Sequence, residues 1–488
     1  MEYKYSNFYE IIKENAQLYP KRVAYFVDNK KITWKEVKTK VDSFAAALEE
    51  MGVKKGDKVP ILIENSLEFI ISFFAIGRLG AVVVPINTFL KEEEISYILN
   101  DIGAFLLITS DSLKDKVKNL DIKTIIPPLY SSKTPKASLP SLEDLAVIIY
   151  TSGTTGRPKG AMLTYKNFFA NIYGINEIIK ITPKDRFIAY LPMFHSFTLT
   201  VNILLPLFFK SPVVIIKSIR PFSNIIKQTL LKRVTIFTGV PDVYSALVKA
   251  KIPFYFHWFN KVRFYISGAA PLPGETLEKF SKKFKGKLLE GYGLSETSPV
   301  VSVNREELQK PYSVGKPLPN VEVKIVNDEL VETDVGEIIV KGDNVMKGYY
   351  NNPEATESSI INGWFLTGDI GRIDEDGYLY ILDRKKDLII SKGVNIYPRE
   401  IEEVCLKIDG VRACAVVGMK ENGVEIPVAF IETEKEIKAN EIKSFLKQHL
   451  ANYKIPKHIY FVEELPKNAT GKVLKRVLKE NIGKYMKA

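Results

Sequence analysis

With 488 residues, 46% of them apolar and 26% charged, the chain has the make-up of a globular protein large enough for at least two domains. Two cysteines, Cys405 and Cys414, exclude a disulfide framework and suit a reducing compartment; the scattered histidines His195, His257, His449 and His458 exclude a His-ligated metal centre. The net charge of +12 is spread along the chain without the aromatic interleaving of a nucleic-acid groove, leaving a lysine-rich solvated surface or attraction for small polyanions and an anionic membrane face.

The opening MEYKYSNFYEIIKENAQ holds no apolar run of signal-peptide length. The longest apolar stretches are interrupted at Arg78 and Asn202, short of the roughly 20 residues a spanning helix needs. The expectation is a cytoplasmic protein, with a peripheral position on the inner face of the membrane compatible with its charge.

Residues 6–17 predict a helix with Phe8, Ile11 and Ile12 on one face. VAYFVDNKKITWKEV predicts a hairpin turning at residues 28–31, then a helix from near Thr33 whose face (Val37, Val41, Phe44, Ala45, Leu48) runs to Gly52. Buried strands follow in KKGDKVPILIENS and IGAFLLITS, and SLEFIISFFAIGRLGAVVVPIN reads as helix, glycine break, strand. Residues 121–144, rich in Pro, Ser and Lys, predict a connecting loop. Downstream, FIAYLP, PVVIIK, VTIFTGVP, RFYISGAAPLP and GKLLEGYG are strands that each end in a turn or a glycine. Short strands alternating with helices predict a largely parallel α/β sheet, with ligands at the carboxyl ends of its strands. From about residue 311 the pattern becomes β-rich, with a hairpin turn at DEDG (374–377). Beyond residues 383–387 lies an α+β unit. It holds a helix from Pro398 (Ile401, Val404, Cys405, Ile408), strands VRACAVVG and VAFIE, helix ANEIKSFLKQHL, and a basic tail from Lys467.

The stretch YTSGTTGRPKG (150–160) concentrates chemistry. Seven of its eleven residues are Ser, Thr or Gly, with Lys159 near the end. Exposed, converging backbone N–H groups with hydroxyls and one ammonium suit a polyphosphate. No register gives a Walker A loop. A flexible surface linker has the same composition. The apolar run before it and the helical spacing after it (Phe168, Ile172, Ile175, Ile179) predict strand, phosphate loop, helix.

Further segments fall at predicted strand ends: LPMFHSF (191–197), TGVP (238–241), SGAAPLP (267–273), EGYGLSET (290–297) and GWFLTGD (363–369). LDRKKD (382–387), SKGVNIYPREIEEV (391–404) and LPKNATGKVLK (465–475) come later. His195 by itself reads more often as a satisfied structural histidine than as a functional one. Small residues in SGAAPLP let a flat ring approach the backbone. In EGYGLSET, Tyr292 can stack on a purine, Ser295 can contact a phosphate, and Glu296 can hold Mg²⁺, which needs one or two carboxylates beside phosphate oxygens and water.

YTSGTTGRPKGAMLTYKN, followed by these segments in this order, resembles the adenylate-forming superfamily: acyl-CoA synthetases, peptide-synthetase adenylation domains and luciferases. LPMFHSFTLTVN most resembles the fatty-acid-activating branch, the long-chain fatty acid–CoA ligases. The resemblance spans essentially the whole chain. It implies ATP, Mg²⁺ and CoA, with a fatty acid converted through acyl-AMP to acyl-CoA; an aryl or short-chain acid, or a carrier-protein phosphopantetheine as acceptor, is the alternative. It implies ATP contacts from Thr151, Ser152, Gly153, Thr154, Thr155, Lys159, Gly268, Ala269, Ala270, Glu290, Gly291, Tyr292, Gly293, Asp369, Ile381 and Arg384. Lys472, Glu296, Ser295 and His195 would carry catalysis, Glu296 as the Mg²⁺ ligand. Phe194, His195, Gly239, Val240 and Gly393 would line the acyl and CoA path. The implied architecture is α/β: a large domain (1–383) of parallel sheets with a β-rich subdomain, a hinge (384–386) at Lys386, and a small mobile α+β domain (387–488). Ser295 departs from the usual Thr but keeps the hydroxyl. No nucleic acid is implied, and a homodimer is compatible.

Overall fold

The computed structural model describes residues 2–151, 157–252, 256–391, 394–421, 423–467 and 471–485. Two largely parallel sheets form the large part of the chain. In the nine-stranded sheet the order is Lys316–Pro317, Val300–Val303, Lys287–Gly293, Phe264–Ser267, Ile236–Gly239, Phe187–Ala189, Val213–Ile215, Val23–Val27 and Lys30–Thr33. Its six middle strands are mutually parallel and the outer ones antiparallel. The six-stranded sheet runs Lys123–Ile125, Leu106–Thr109, Lys58–Leu62, Val82–Pro85, Leu145–Thr151, Lys159–Thr164, with only the last strand antiparallel.

Helices cover these sheets because their apolar faces demand it. Phe8–Leu18, Trp34–Glu50, Leu67–Arg78 and Tyr165–Ile178 share the main core with both sheets. Thr33 caps the second of these with a reciprocal Glu36 contact, worth about 1 kcal/mol. In the six-stranded sheet, alternation sends Ile61, Val83 and Val147 to the main core. Their neighbours Leu62, Val84 and Ile148 face the other way, toward Glu92–Asp101. Burying each such side chain contributes about 1.5–3 kcal/mol.

A five-stranded antiparallel sheet follows (Val321–Val326, Gly336–Gly342, Ile360–Ile361, Trp364–Ile373, Leu379–Arg384), with the turn at 374–377 closed by the Gly377 N–H to Asp374 C=O bond of 2.8 Å. The C-terminal domain has the sheet Val411–Glu421, Val424–Thr433, His458–Phe461. One face packs Val416 and Ile431 on Pro398–Cys405 and Ala439–His449; the other packs Val417 and Phe430 against Leu478 of Lys475–Tyr485.

Four expectations change. The glycine-rich loop does not lead from strand to helix; it joins two antiparallel strands, Leu145–Thr151 and Lys159–Thr164, and the helix begins only at Tyr165. Period-2 alternation in KGAMLT is too short to announce a strand beside the stronger helical spacing that follows. Residues 121–144 include the edge strand Lys123–Ile125. The first hairpin turns at Asp28 and Asn29, since Lys30 and Lys31 already pair with Val27 and Phe26. The basic tail contains the helix Lys475–Tyr485, whose Leu478 is fully buried.

Candidate active site

The carboxyl ends of the nine-stranded sheet, the antiparallel sheet and the C-terminal domain meet at one cleft. Asp369 and Arg384 are register partners on neighbouring strands. Asp369 is only 2% exposed, yet both its oxygens are engaged: Oδ1 with Arg384 Nε at 2.6 Å, Oδ2 accepting from the Tyr292 hydroxyl at 2.6 Å. Burial, then the Asp369 charge, pushes the Tyr292 hydroxyl well above its usual range. Tyr292 therefore stays protonated and fixed as donor, and the residue is half-exposed.

Lys472 reaches this cluster from the C-terminal domain. It lies close enough to Arg384, Asp369, Lys386 and Asp387 to feel their charges. As a residue Lys472 is exposed. Desolvation first, then Arg384, push its pKa from 10.5 down to about 8, with Asp369 opposing. The neighbouring segment is held against the large domain, where Lys467 Nζ stands 3.6 Å from Asp242 Oδ2. Lys386 is exposed in the short 3-10 turn Lys385–Asp387. The Ile381 carbonyl accepts from Arg399 Nη1 at 2.7 Å, and the Arg399 N–H donates to Asp383 Oδ2 at 2.8 Å.

Glu296 is buried in the 3-10 turn Ser295–Thr297. Its Oε1 accepts from the Tyr349 hydroxyl (3.0 Å) and from Thr151 Oγ1 (3.3 Å). Lys159 Nζ lies 5.2 Å from the Tyr349 ring centroid, a cation–π contact. Thr151, Lys159 and Glu296 thus share one corner through Tyr349. Its segment is bonded to the strand Lys159–Thr164, with the Met162 N–H to Gly348 C=O bond at 2.9 Å. Among the described residues no cluster of three or more His, Cys, Asp or Glu could hold a metal ion. A single carboxylate with one oxygen already tied by hydroxyls fits Mg²⁺ that takes most ligands from phosphate and water.

Ser295 Oγ shares a 3.0 Å hydrogen bond with Ser196 Oγ, joining this corner to the His195 segment. His195 caps the turn Ser196–Thr198, its Nδ1 accepting from the Phe197 N–H at 3.3 Å. Desolvation pushes it down to about 4, so the ring is neutral at pH 7. Phe194 is buried, its ring edge-on to Phe89 at 6.4 Å. Gly239 ends its strand and Val240 caps the next helix. A Cβ on Gly239 would sit 2.9 Å from the Tyr190 hydroxyl and 3.1 Å from the Tyr244 ring.

Gly268 passes close to Phe197, and Ala269 adopts φ +69°, carrying the 267–273 loop across the strand ends. Ala270 is half-exposed beside it. Glu290 faces this loop: its Oε1 accepts from the Leu272 N–H at 2.9 Å, and burial raises its pKa to about 7. Gly291 pairs with Val303, and at Gly293 a Cβ would fall 1.8 Å from the Pro299 carbonyl oxygen, so only glycine fits. Ser152, Gly153, Thr154, Thr155 and Gly393 lie outside the described residues. Tyr349, Ser196, Tyr190 and Arg399 were not singled out from the sequence. They are ordinary residues there, and only pairing with partners 53, 99, 49 and 18 positions away reveals them.

Fold and cleft define a nucleotide-handling α/β enzyme with a separate C-terminal domain. Residues 12–350 match the AMP-binding enzyme family and residues 400–472 the AMP-binding enzyme C-terminal domain. The chain belongs to the AMP-binding enzyme family. It is 32% identical to a long-chain-fatty-acid–CoA ligase of Salmonella typhimurium, over 98% of this chain and 95% of that protein. It is 37% identical to a 2-succinylbenzoate–CoA ligase of Bacillus cereus, over 96% and 98%. Its fold superposes, at a TM-score of 0.89 and 31% identity, on o-succinylbenzoate coenzyme A synthetase from Bacillus subtilis in complex with ATP and magnesium ion, covering 97% of this chain and 99% of that one.

Proposed function

We propose that this enzyme, an AMP-forming acid–CoA ligase using ATP, Mg²⁺ and CoA, activates a fatty acid. The observation that carries adenylation is the convergence of Lys472 on the Asp369–Arg384–Tyr292 cluster from a separate domain. In the first half-reaction a carboxylate oxygen attacks the α-phosphorus of ATP, the Pα–O–Pβ bond breaks, and pyrophosphate leaves. Two anions must meet. Lys472 offsets their repulsion, Asp369 and Arg384 hold the ribose, and Tyr292 stacks on the purine. The loop at 150–160, with Lys159, cradles the departing phosphates. Glu296 would hold Mg²⁺, which supplies charge neutralisation on the phosphate oxygens. In the second half-reaction the CoA sulfur attacks the acyl carbonyl, the thiol loses its proton and AMP leaves. The thiol proton passes to solvent, because neutral His195, its Nδ1 accepting from the Phe197 N–H, carries its own proton on Nε2 and lines this path as a donor. A hinge at 384–386, centred on Lys386, rotates the C-terminal domain to withdraw Lys472 and bring in the loop at Gly393.

For the acid, the reading rests on the apolar segment after His195, where Phe197, Leu199, Val201, Ile203 and Leu204 are all buried, and on the likeness to a fatty-acid ligase. Pyrophosphate release over a panel of acids, followed by product analysis with CoA and with a phosphopantetheinylated carrier protein, tests it. No release with any fatty acid sinks it.

One observation favours the alternative of a short-chain or aryl acid. Tyr190 is 2% exposed, and its hydroxyl and the Tyr244 ring close on Gly239. Behind them Phe237, Tyr265 and Phe280 pack on Tyr244 and on one another, edge to face or tilted, with centroids 4.8–6.4 Å apart. An acyl chain running past Gly239 would meet this wall. Tyr190→Ala is expected to raise kcat/KM for longer acids by about tenfold or more relative to short ones. An unchanged chain-length profile of acyl-CoA formation would place the acid elsewhere.

The protonation of Lys472 gives a pH test. Adenylation needs the ammonium, and its pKa of about 8 lies well below the usual 10.5. The ATP–pyrophosphate exchange kcat/KM is therefore expected to fall as pH rises through about 8, reporting the free enzyme. A profile flat well above that value would detach this lysine from the first step.

A further inference from the structure

The amino ends of the nine-stranded sheet carry a surface that the cleft at its carboxyl ends does not use. Four connections run into the neighbouring strands Phe187–Ala189, Ile236–Gly239, Phe264–Ser267 and Lys287–Gly293. They carry Lys180, Lys184, Arg233, Lys261 and Lys285, all exposed, and Lys287 opens the last strand. The acid in these connections, Asp185, is buried, with Arg263 Nε at 2.8 Å. Arg263 Nη2 also donates to the Lys180 carbonyl at 2.6 Å, and Arg186 donates to the Lys232 carbonyl. The two arginines tie the connections together and leave the outer lysines to solvent.

Beside this basic edge stand three large apolar residues. Leu231 ends the helix Phe222–Leu231 and is 64% exposed. Trp258 and Phe259 close the turn Phe256–Phe259 and are 70% and 60% exposed. Both elements lead directly into adjacent strands, and the Arg263 N–H to Thr235 C=O bond of 2.9 Å links those connections. The three residues therefore sit over neighbouring strands, rimmed by lysine and arginine.

We propose that this amino edge docks on an anionic lipid bilayer. Lysines and arginines gain from an anionic surface, and Trp and Phe insert at the level of the headgroups. Among the described residues no helix is long and apolar enough to cross a membrane, so contact here is with the surface alone. Nucleic acid matches the charge but offers nothing to cover outward-pointing Leu231 and Phe259. Docked by this edge, the sheet presents its carboxyl ends, and with them the cleft, away from the lipid, where the C-terminal domain can turn. The proposal does not depend on which acid is activated.

Sedimentation of the full chain with phosphatidylcholine vesicles, with and without phosphatidylglycerol, tests it. Binding is expected on the mixed vesicles, weakening with salt, with little on phosphatidylcholine alone. The triple reversal Arg233→Glu, Lys261→Glu, Lys285→Glu is expected to lower partitioning more than about tenfold. The double variant Trp258→Ala, Phe259→Ala is expected to weaken binding with its salt dependence retained. ATP–pyrophosphate exchange at parental rate confirms that each variant is folded. Equal binding to both vesicle types, binding unchanged in the variants, or equal loss of affinity for duplex DNA and vesicles on charge reversal with none on aromatic removal would overturn the proposal.

Discussion

Replacing Lys472 by alanine is expected to lower ATP–pyrophosphate exchange by about 10²–10³-fold while leaving thioester formation from preformed acyl-adenylate within a few-fold of the parent rate. The asymmetry follows from where charge accumulates. When the carboxylate approaches the α-phosphate, two anions share one site, and a positioned ammonium stabilises that arrangement more than either reactant alone. Once the adenylate exists, the attacking thiol brings no second fixed anion against the phosphate, and the lysine has nothing left to offset. Arg384 cannot substitute, since its Nε is committed to Asp369 Oδ1 at 2.6 Å. The check is to assay the two half-reactions separately with one variant. Equal loss in both would mean that Lys472 shapes the C-terminal domain instead of acting on the first step; exchange within tenfold of parent would remove it from the chemistry.

Asp369→Asn is expected to raise the KM for ATP about 10–100-fold and to cost about 1–3 kcal/mol of stability. Asparagine keeps the shape and one acceptor oxygen but gives up the charge. Arg384 would then face Lys472 with the counter-charge between them gone, and the buried amide would hold Arg384 and the Tyr292 hydroxyl less well. Because Asp369 raises the Lys472 pKa, its removal is expected to move the alkaline limb of the exchange profile to lower pH. Isothermal titration with ATP, thermal unfolding and the pH profile together separate these effects. A variant with lost stability but unchanged ATP affinity would make Asp369 purely structural.

How much of this was legible beforehand differs by element. The capped helices and the buried strands were readable because periods of 3.6 and 2 are local. The strand Lys159–Thr164 was not, because its partner across the glycine-rich loop competed with a stronger helical signal just beyond it. Lys472 was readable only through its motif; among 69 lysines and arginines, residue type alone carries nothing. Tyr349, which fixes Glu296, had no sequence signal at all.

By itself, then, the sequence determined the alternation of strands and helices, the order of the chemical segments and the family they resemble, since each depends on residues adjacent in the chain. Tertiary structure decided which of them touch. The Asp369–Arg384 pair is a matter of strand register, the Glu296–Tyr349 contact spans 53 positions, and Tyr190 meets Gly239 across two strands. Such contacts form where packing and hydrogen bonding of whole elements outweigh local preference, so no window of sequence contains them.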